Sequence, residues 1–227
     1  AGETYTNPVI SEIGPADPTI IKYDGKYYMY PTGDNVSYHV YTSTDLVNWT
    51  KGGGRVFQPG GVNIWAPDVY YNEDDGKFYM YYTADFKIGV ATSNRPDGPF
   101  IDQGIILDGF IDAHLFKDAG NYYLYFTDIG HMYVQQMSSP TQLTGEKQAI
   151  LQPDQGWDQE AGWVNEGPWM LKHNGTYYLL FSGSGADTPE YAVGYATADN
   201  PMGPFTKYEN NPIIERGGGV YGPGHGS

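Results

Sequence analysis

An all-β fold, with four-stranded blades set around a common axis as a propeller, is what this sequence predicts. Three observations carry the prediction. A similar segment recurs along the chain, helical spacing of apolar residues is missing, and Tyr (22), Gly (31) and Pro (16) are abundant. Short aromatic strands punctuated by turns have this composition, and a helical bundle does not.

The repeat has four copies: DGKYYMYPTG at 24–33, DGKFYMYYTA at 75–84, AGNYYLYFTD at 119–128 and NGTYYLLFSG at 174–183. Each opens on a glycine-containing turn, at Gly25, Gly76, Gly120 and Gly175, where the backbone can adopt positive φ. Before each turn stands a short apolar run, TIIKY, VYYNE, HLFKD or PWMLKH. After each aromatic strand comes a third strand-like run: YHVYTSTD, IGVATSNR, MYVQQMSS and VGYATADN. A weaker fourth run follows near WTKG, GPFID and GPFTK. Four antiparallel strands recurring every 44 to 55 residues describe a propeller blade. A β-sandwich also has many short strands, but it does not require similar sequences at a fixed period. The 227 residues are therefore read as one catalytic domain, residues 1–227.

Charge and composition exclude several partners. A formal net charge of −15 repels nucleic acid and anionic membranes, whereas neutral sugars are indifferent to it. No apolar run approaches the ~18 residues of a membrane helix. Cysteine is absent, which removes disulfides and thiolate chemistry. The opening AGETYTNP has neither an initiating Met nor a charged-then-apolar leader, so no signal peptide is expected within these residues.

Acidic residues recur at the head of each unit. Counted back from the hairpin glycines, Asp17, Asp68 and Asp112 each lie eight residues upstream, and Glu166 lies nine. The first strand of a blade lines the central channel, so equivalent positions on successive blades converge. Carboxyl groups gathered at one end of a channel repel one another, and some acquire raised pKa values. A single acid at such a position is accounted for equally well by bonding to backbone donors. Four in register, flanked by Pro18, Pro67 and Gly167-Pro168, point to use of the set. Two carboxyls suffice for glycoside hydrolysis, one protonated to assist the leaving oxygen and one ionised to activate water or attack. Trp65, Phe110 and Trp163 precede three of these acids and supply either sugar platforms or core packing.

At these residues the sequence resembles glycoside hydrolase family 43. The resemblance spans nearly the whole chain. It rests on the ADP of residues 16–18, the WAPD of 65–68, the IDA of 111–113 and the EGP of 166–168, with STDLVNW ending at Trp49 and GPGH ending at His225. It implies a five-bladed propeller and an inverting mechanism. Asp17 is then the general base, Glu166 the general acid and Asp112 the carboxylate that orients the acid and raises its pKa. Asp68 takes no catalytic role from the family and is expected to contact substrate, with Trp65 as a wall of the sugar pocket. His225 matches a channel-facing histidine beside a bound ion, commonly calcium, and is the expected metal-site residue. No cofactor is implied for the chemistry. The remaining histidines, His39, His114, His131 and His173, lack zinc-ligand spacing, and His114 is placed to face the channel.

The family pattern also implies a fifth blade, of which only the opening, Tyr221 to Ser227, is in this sequence. About 70 further residues, bearing a sugar-contacting Arg, are expected from a second polypeptide or a continuation of this one. The expected activity is removal of arabinofuranosyl or xylosyl units from plant-type oligo- or polysaccharides, as an α-L-arabinofuranosidase, a β-xylosidase or both. Endo-arabinanase action and a non-catalytic carbohydrate-binding propeller are the alternatives. Polymeric substrates favour an extracellular enzyme, and short oligosaccharides permit a cytoplasmic one.

Overall fold

A computed structural model describes residues 4–12 and 14–226. Ser227, the last residue of the expected fifth-blade opening, lies outside the described residues. The strands form four sheets. Blade 1 contains β1 (Ala16–Tyr23), β2 (Lys26–Thr32), β3 (Tyr41–Ser43) and β4 (Thr50–Lys51). Blade 2 contains β5 (Trp65–Asn72), β6 (Lys77–Ala84), β7 (Lys87–Ser93) and β8 (Ile101–Asp108). Blade 3 has β9 (Ile111–Asp118), β10 (Asn121–Thr127), β11 (Met132–Ser139), β12 (Gln142–Leu143) and β13 (Gln148–Leu151), the last two both pairing with β11. Blade 4 has β14 (Asn165–His173), β15 (Thr176–Gly183), β16 (Ala192–Ala198) and β17 (Thr206–Lys207). A short 3-10 helix, Gly156–Gln159, joins blades 3 and 4. The first strands β1, β5, β9 and β14 pack side by side in sequence order and form the inner wall.

Register within each hairpin shows why the aromatic repeat exists. Ile21 pairs with Tyr28, Tyr70 with Tyr79, Phe116 with Tyr123 and Leu171 with Tyr178. In blades 1 to 3 these pairs face the next blade. Ile21, Tyr28 and Tyr30 meet Val69, Phe78 and Met80. Tyr70, Tyr79 and Tyr81 meet Leu115, Leu124 and Phe126. Phe116, Tyr123 and Tyr125 meet Met170, Leu179 and Phe181. Fully burying one such side chain contributes about 1.5–3 kcal/mol, so three repeated interfaces dominate the cohesion of the sheets. The hydroxyls of Tyr30, Tyr81 and Tyr125 each donate to a proline carbonyl of the following blade, Pro96, Pro140 and Pro201. Blade 4 has Leu180 at that register, and its outward pair Leu171 and Tyr178 lines an apolar groove with Tyr195 and Ile213.

The head of every inner strand is bulged. Register breaks fall between Ala16 and Thr19, Trp65 and Asp68, Ile111 and His114, and Glu166 and Trp169. One residue in each break has positive φ: Asp17 (46°), Ala66 (38°), Asp112 (56°) and Gly167 (60°). A bulge bends the strand and re-aims a side chain, which is how a regular sheet delivers a carboxylate to its end. These positions correct the count from the glycines. Asp17 is equivalent to Ala66 and Asp112, and Asp68 is equivalent to Thr19, His114 and Trp169. The loop between Asn72 and Lys77 is two residues longer than its counterparts, so counting back displaced Asp68 by two.

Candidate active site

Asp17 and Asp112 hold the bulge position of blades 1 and 3, and Glu166 stands one residue before that position on blade 4. Non-glycine residues in the left-handed region cost about 1–3 kcal/mol, and such strain concentrates at functional sites. A hydroxyl at the end of each second strand ties the bulges together. Thr32 donates to Asp17 Oδ2 at 2.7 Å and accepts from the Ala66 N–H at 2.6 Å. Thr83 accepts from the Asp112 N–H, Thr127 donates to the Asn165 carbonyl, and Ser182 accepts from the His225 N–H. Thr32, Thr83, Thr127 and Ser182 occupy one position of the repeat. That pattern was visible in the sequence and marks the scaffold of the site.

His225 reaches the same centre. Its φ is 49°, its Nδ1 lies 3.2 Å from Asp17 Oδ1 and 3.8 Å from Asp112 Oδ2, and a Cβ on Gly167 would crowd its ring. Burial pushes the imidazole pKa down, but Asp17, Asp112 and Glu166 together pull it up, with a net rise. The ring therefore stands where a cation's charge would be needed. Calcium takes six to eight oxygen ligands. Among the described residues no three His, Asp or Glu side chains gather in a metal-holding geometry. The side chains around His225 therefore do not by themselves supply the oxygen set of a calcium site, and its ring is paired with carboxylates.

The acids differ in environment. Glu166 is buried, and its Oε1 accepts from the Tyr191 hydroxyl at 2.7 Å. Burial first, and the neighbouring Asp112 second, push its carboxyl up to about 7. Asp112 is buried as well and is raised by that burial and by Asp17, against the pull of His225 and of the Gly167 N–H, which donates to Asp112 Oδ2 at 3.0 Å. Asp17 keeps a quarter of its side chain exposed. The void among Asp17, Asp112, Gly167 and His225 is about 20 Å³, room for about one water. A groove of about 560 Å³ touches none of these acids and runs past His131, Gln152, Phe205 and Lys207. Converging carboxyls, not groove size, locate the chemistry.

Other expected residues divide. Asp68 is buried, accepts from the Leu115 N–H and the Thr19 hydroxyl, and faces His114 Nδ1 at 3.2 Å. It ties three inner strands together, as the backbone-satisfying alternative expects. Phe110 is half-buried and packs against Phe126 and Tyr133 in the interface of blades 2 and 3. Trp65 donates its indole N–H to Asn35 and meets the exposed Phe86 edge-on. Trp163 is 48 % exposed and rests on His131 and Gly130. Both tryptophans stay open to a ligand. Tyr191, in the loop before β16, was missed: nothing in that loop's sequence marks it, and only the fold brings it to Glu166.

The sequence model of Glycosyl hydrolases family 43 matches residues 5–227. The chain is 33 % identical to the "Xylosidase/arabinosidase" of Bacteroides ovatus, over 84 % of this chain and 76 % of that protein. It is 31 % identical to the "Beta-D-galactofuranosidase xynD" of Aspergillus niger, over 84 % of this chain, and the match spans 63 % of that relative's length. Among solved structures it superposes on a thermostable family-43 glycoside hydrolase with a TM-score of 0.89 at 36 % identity, covering 98 % of this chain and 81 % of the other.

Proposed function

The chain belongs to glycosyl hydrolases family 43, and on that premise we propose that it is an inverting glycoside hydrolase that removes arabinofuranosyl or xylosyl units from plant-type glycans. Glu166 is the general acid, Asp17 the general base and Asp112 the carboxylate that keeps the acid protonated. The observation that carries this reading is the contrast between two carboxyls. Glu166, pushed up to about 7, is protonated in about half of the molecules at neutral pH and in more below it, while Asp17 remains partly exposed beside Thr32 and His225. Glu166 gives its proton to the leaving glycosidic oxygen. Asp17 takes one from a water that attacks the anomeric carbon from the opposite face. Room for that water requires the two carboxyls to stand roughly 6.5–9.5 Å apart.

Names of relatives support the sugar class. They include a xylosidase/arabinosidase, exo-α-(1→5)-L-arabinofuranosidases and arabinan endo-1,5-α-L-arabinosidases. Trp65 and Trp163 are the platforms on which a ring would rest. Endo action on arabinan is the second reading, favoured by the last of those relatives. A fifth blade between blades 4 and 1 belongs to the proposal. His225 repeats the bulge pattern, with positive φ and a backbone bond to the hydroxyl of the preceding blade, and so stands at the head of a fifth inner strand. Leu171 and Tyr178 present to that side the register that the other blades bury. A continuation of the chain or a second polypeptide would cover them.

The test is incubation with nitrophenyl α-L-arabinofuranoside and β-D-xyloside, with NMR of the sugar released in the first minutes. An inverted anomer is expected. Retention of configuration would refute the mechanism, and glycan binding without turnover would identify a binding module. Intact mass of the active material tests the blade: a fully active monomer of this chain alone would refute it.

A further inference from the structure

We propose that Tyr191 is the positioning residue that decides which oxygen of the Glu166 carboxyl carries the acidic proton. The inference deepens the acid–base reading above and rests on it. Tyr191 is 5 % exposed, and its hydroxyl donates to Glu166 Oε1 at 2.7 Å. Among the described residues no other hydrogen bond reaches that carboxyl. A protonated carboxyl has one O–H, and its other oxygen is an acceptor. With Oε1 engaged as the acceptor, the proton resides on Oε2, and only Oε2 can pass it to a glycosidic oxygen. Turning the carboxyl by half a rotation would exchange the two oxygens, and the tyrosine bond opposes that turn. Burial, and then Glu166 itself, hold the phenol well above 10, so Tyr191 remains a donor throughout the working range.

The tyrosine is seated by the GPGH segment. A Cβ on Gly224 would fall within the Tyr191 ring, and one on Gly222 would come 2.5 Å from the Thr188 carbonyl oxygen. Glycine at 224 lets the backbone lie against the phenol ring, and glycine at 222 lets it pass the Thr188 carbonyl. The segment then continues to His225, whose ring faces Asp17 and Asp112. One stretch of four residues, Gly222 to His225, thus seats the group that aims the acid and supplies the imidazole beside the base.

Tyr191→Phe keeps the ring and its seat and removes only the hydroxyl. Aryl xylosides and arabinofuranosides of graded leaving ability, from dinitrophenyl to phenyl, read the proton transfer. We expect kcat to fall about tenfold or more on phenyl glycosides and less than about twofold on dinitrophenyl ones, with KM nearly unchanged, as for loss of a hydrogen bond to an ionisable group. A ¹³C-NMR titration of Glu166 gives a readout independent of turnover. Asp112, Asp17 and His225, the other titratable groups facing Glu166, are retained in the variant. Loss of a donor to the ionised carboxylate should therefore raise the Glu166 midpoint. An unmoved midpoint, or an equal loss on all leaving groups, overturns the proposal. Glu166→Gln, run in parallel, separates the two readings. If it lacks leaving-group dependence, the acid assignment falls and this inference with it. If it has that dependence and Tyr191→Phe does not, only the role of Tyr191 falls.

Discussion

Glu166→Gln should make the fold more stable at alkaline pH and leave it little changed in acid. Burial, and after it Asp112, move this carboxyl from 4.5 to about 7. In the unfolded chain the group ionises near its ordinary value. Between the two values the folded protein binds more protons than the unfolded one, so stability falls as pH rises. Below the lower value both states are protonated and no penalty exists; above the upper value the penalty is complete. The gap, 7 − 4.5 = 2.5 pH units, is worth about 3 kcal/mol at ~1.36 kcal/mol per unit. Asp112 and His225 titrate in the same cluster, so this is the upper value for one side chain. Gln is close in volume and keeps an oxygen for Tyr191. In a domain of this size each kcal/mol moves Tm by about 2–4 °C, so the gain reaches about 6–12 °C at most. Calorimetry of both proteins at about pH 5 and about pH 8.5 measures it. A Tm difference equal at both pH values, or a variant less stable in alkali, would refute the reasoning. The strain that the fold accepts here is what a general acid requires.

Three further outcomes follow from the same geometry. Asp112→Asn removes the like charge beside Glu166, so the alkaline limb of kcat/KM should move down by on the order of one pH unit, as read from a pH–rate profile. Asp68→Ala leaves the Leu115 N–H and His114 without their acceptor and should cost about 2–4 kcal/mol in urea unfolding, with kcat of the folded protein within about threefold. Phe110→Ala should lower the unfolding free energy by about 2–3 kcal/mol without raising KM, whereas Trp163→Ala should raise KM and shift stability by no more than about 0.5 kcal/mol.

Much of the fold was legible in the sequence because it is repetitive. The glycine turns and the pairs Ile21–Tyr28, Tyr70–Tyr79, Phe116–Tyr123 and Leu171–Tyr178 are local features, set by hairpin geometry and by a face that must be buried. Once four such units are accepted, convergence of the inner-strand heads follows, and with it Asp17, Asp112 and Glu166 as candidates. Register to the residue was not legible, because it depends on loop length. Two extra residues between Asn72 and Lys77 aligned Asp68 by count with acids it does not match in space. Phe110 and Trp163 read alike in sequence, yet one is walled in by Phe126 and Tyr133 and the other stands open.

By itself, then, the sequence determined the repeat, the all-β architecture and the three acids at the strand heads. All of these are consequences of spacing along one chain. The tertiary structure alone decided which groups surround those acids. It turned His225 toward two carboxylates, made Asp68 a tie between inner strands and brought Tyr191 onto Glu166. The physical reason is that a carboxyl's protonation depends on its burial and on charges within a few ångströms. Those neighbours come from other blades or from a distant loop of the same blade, across sequence separations of 25 residues for Tyr191 and 55 between Gly167 and Asp112, over which no local pattern extends.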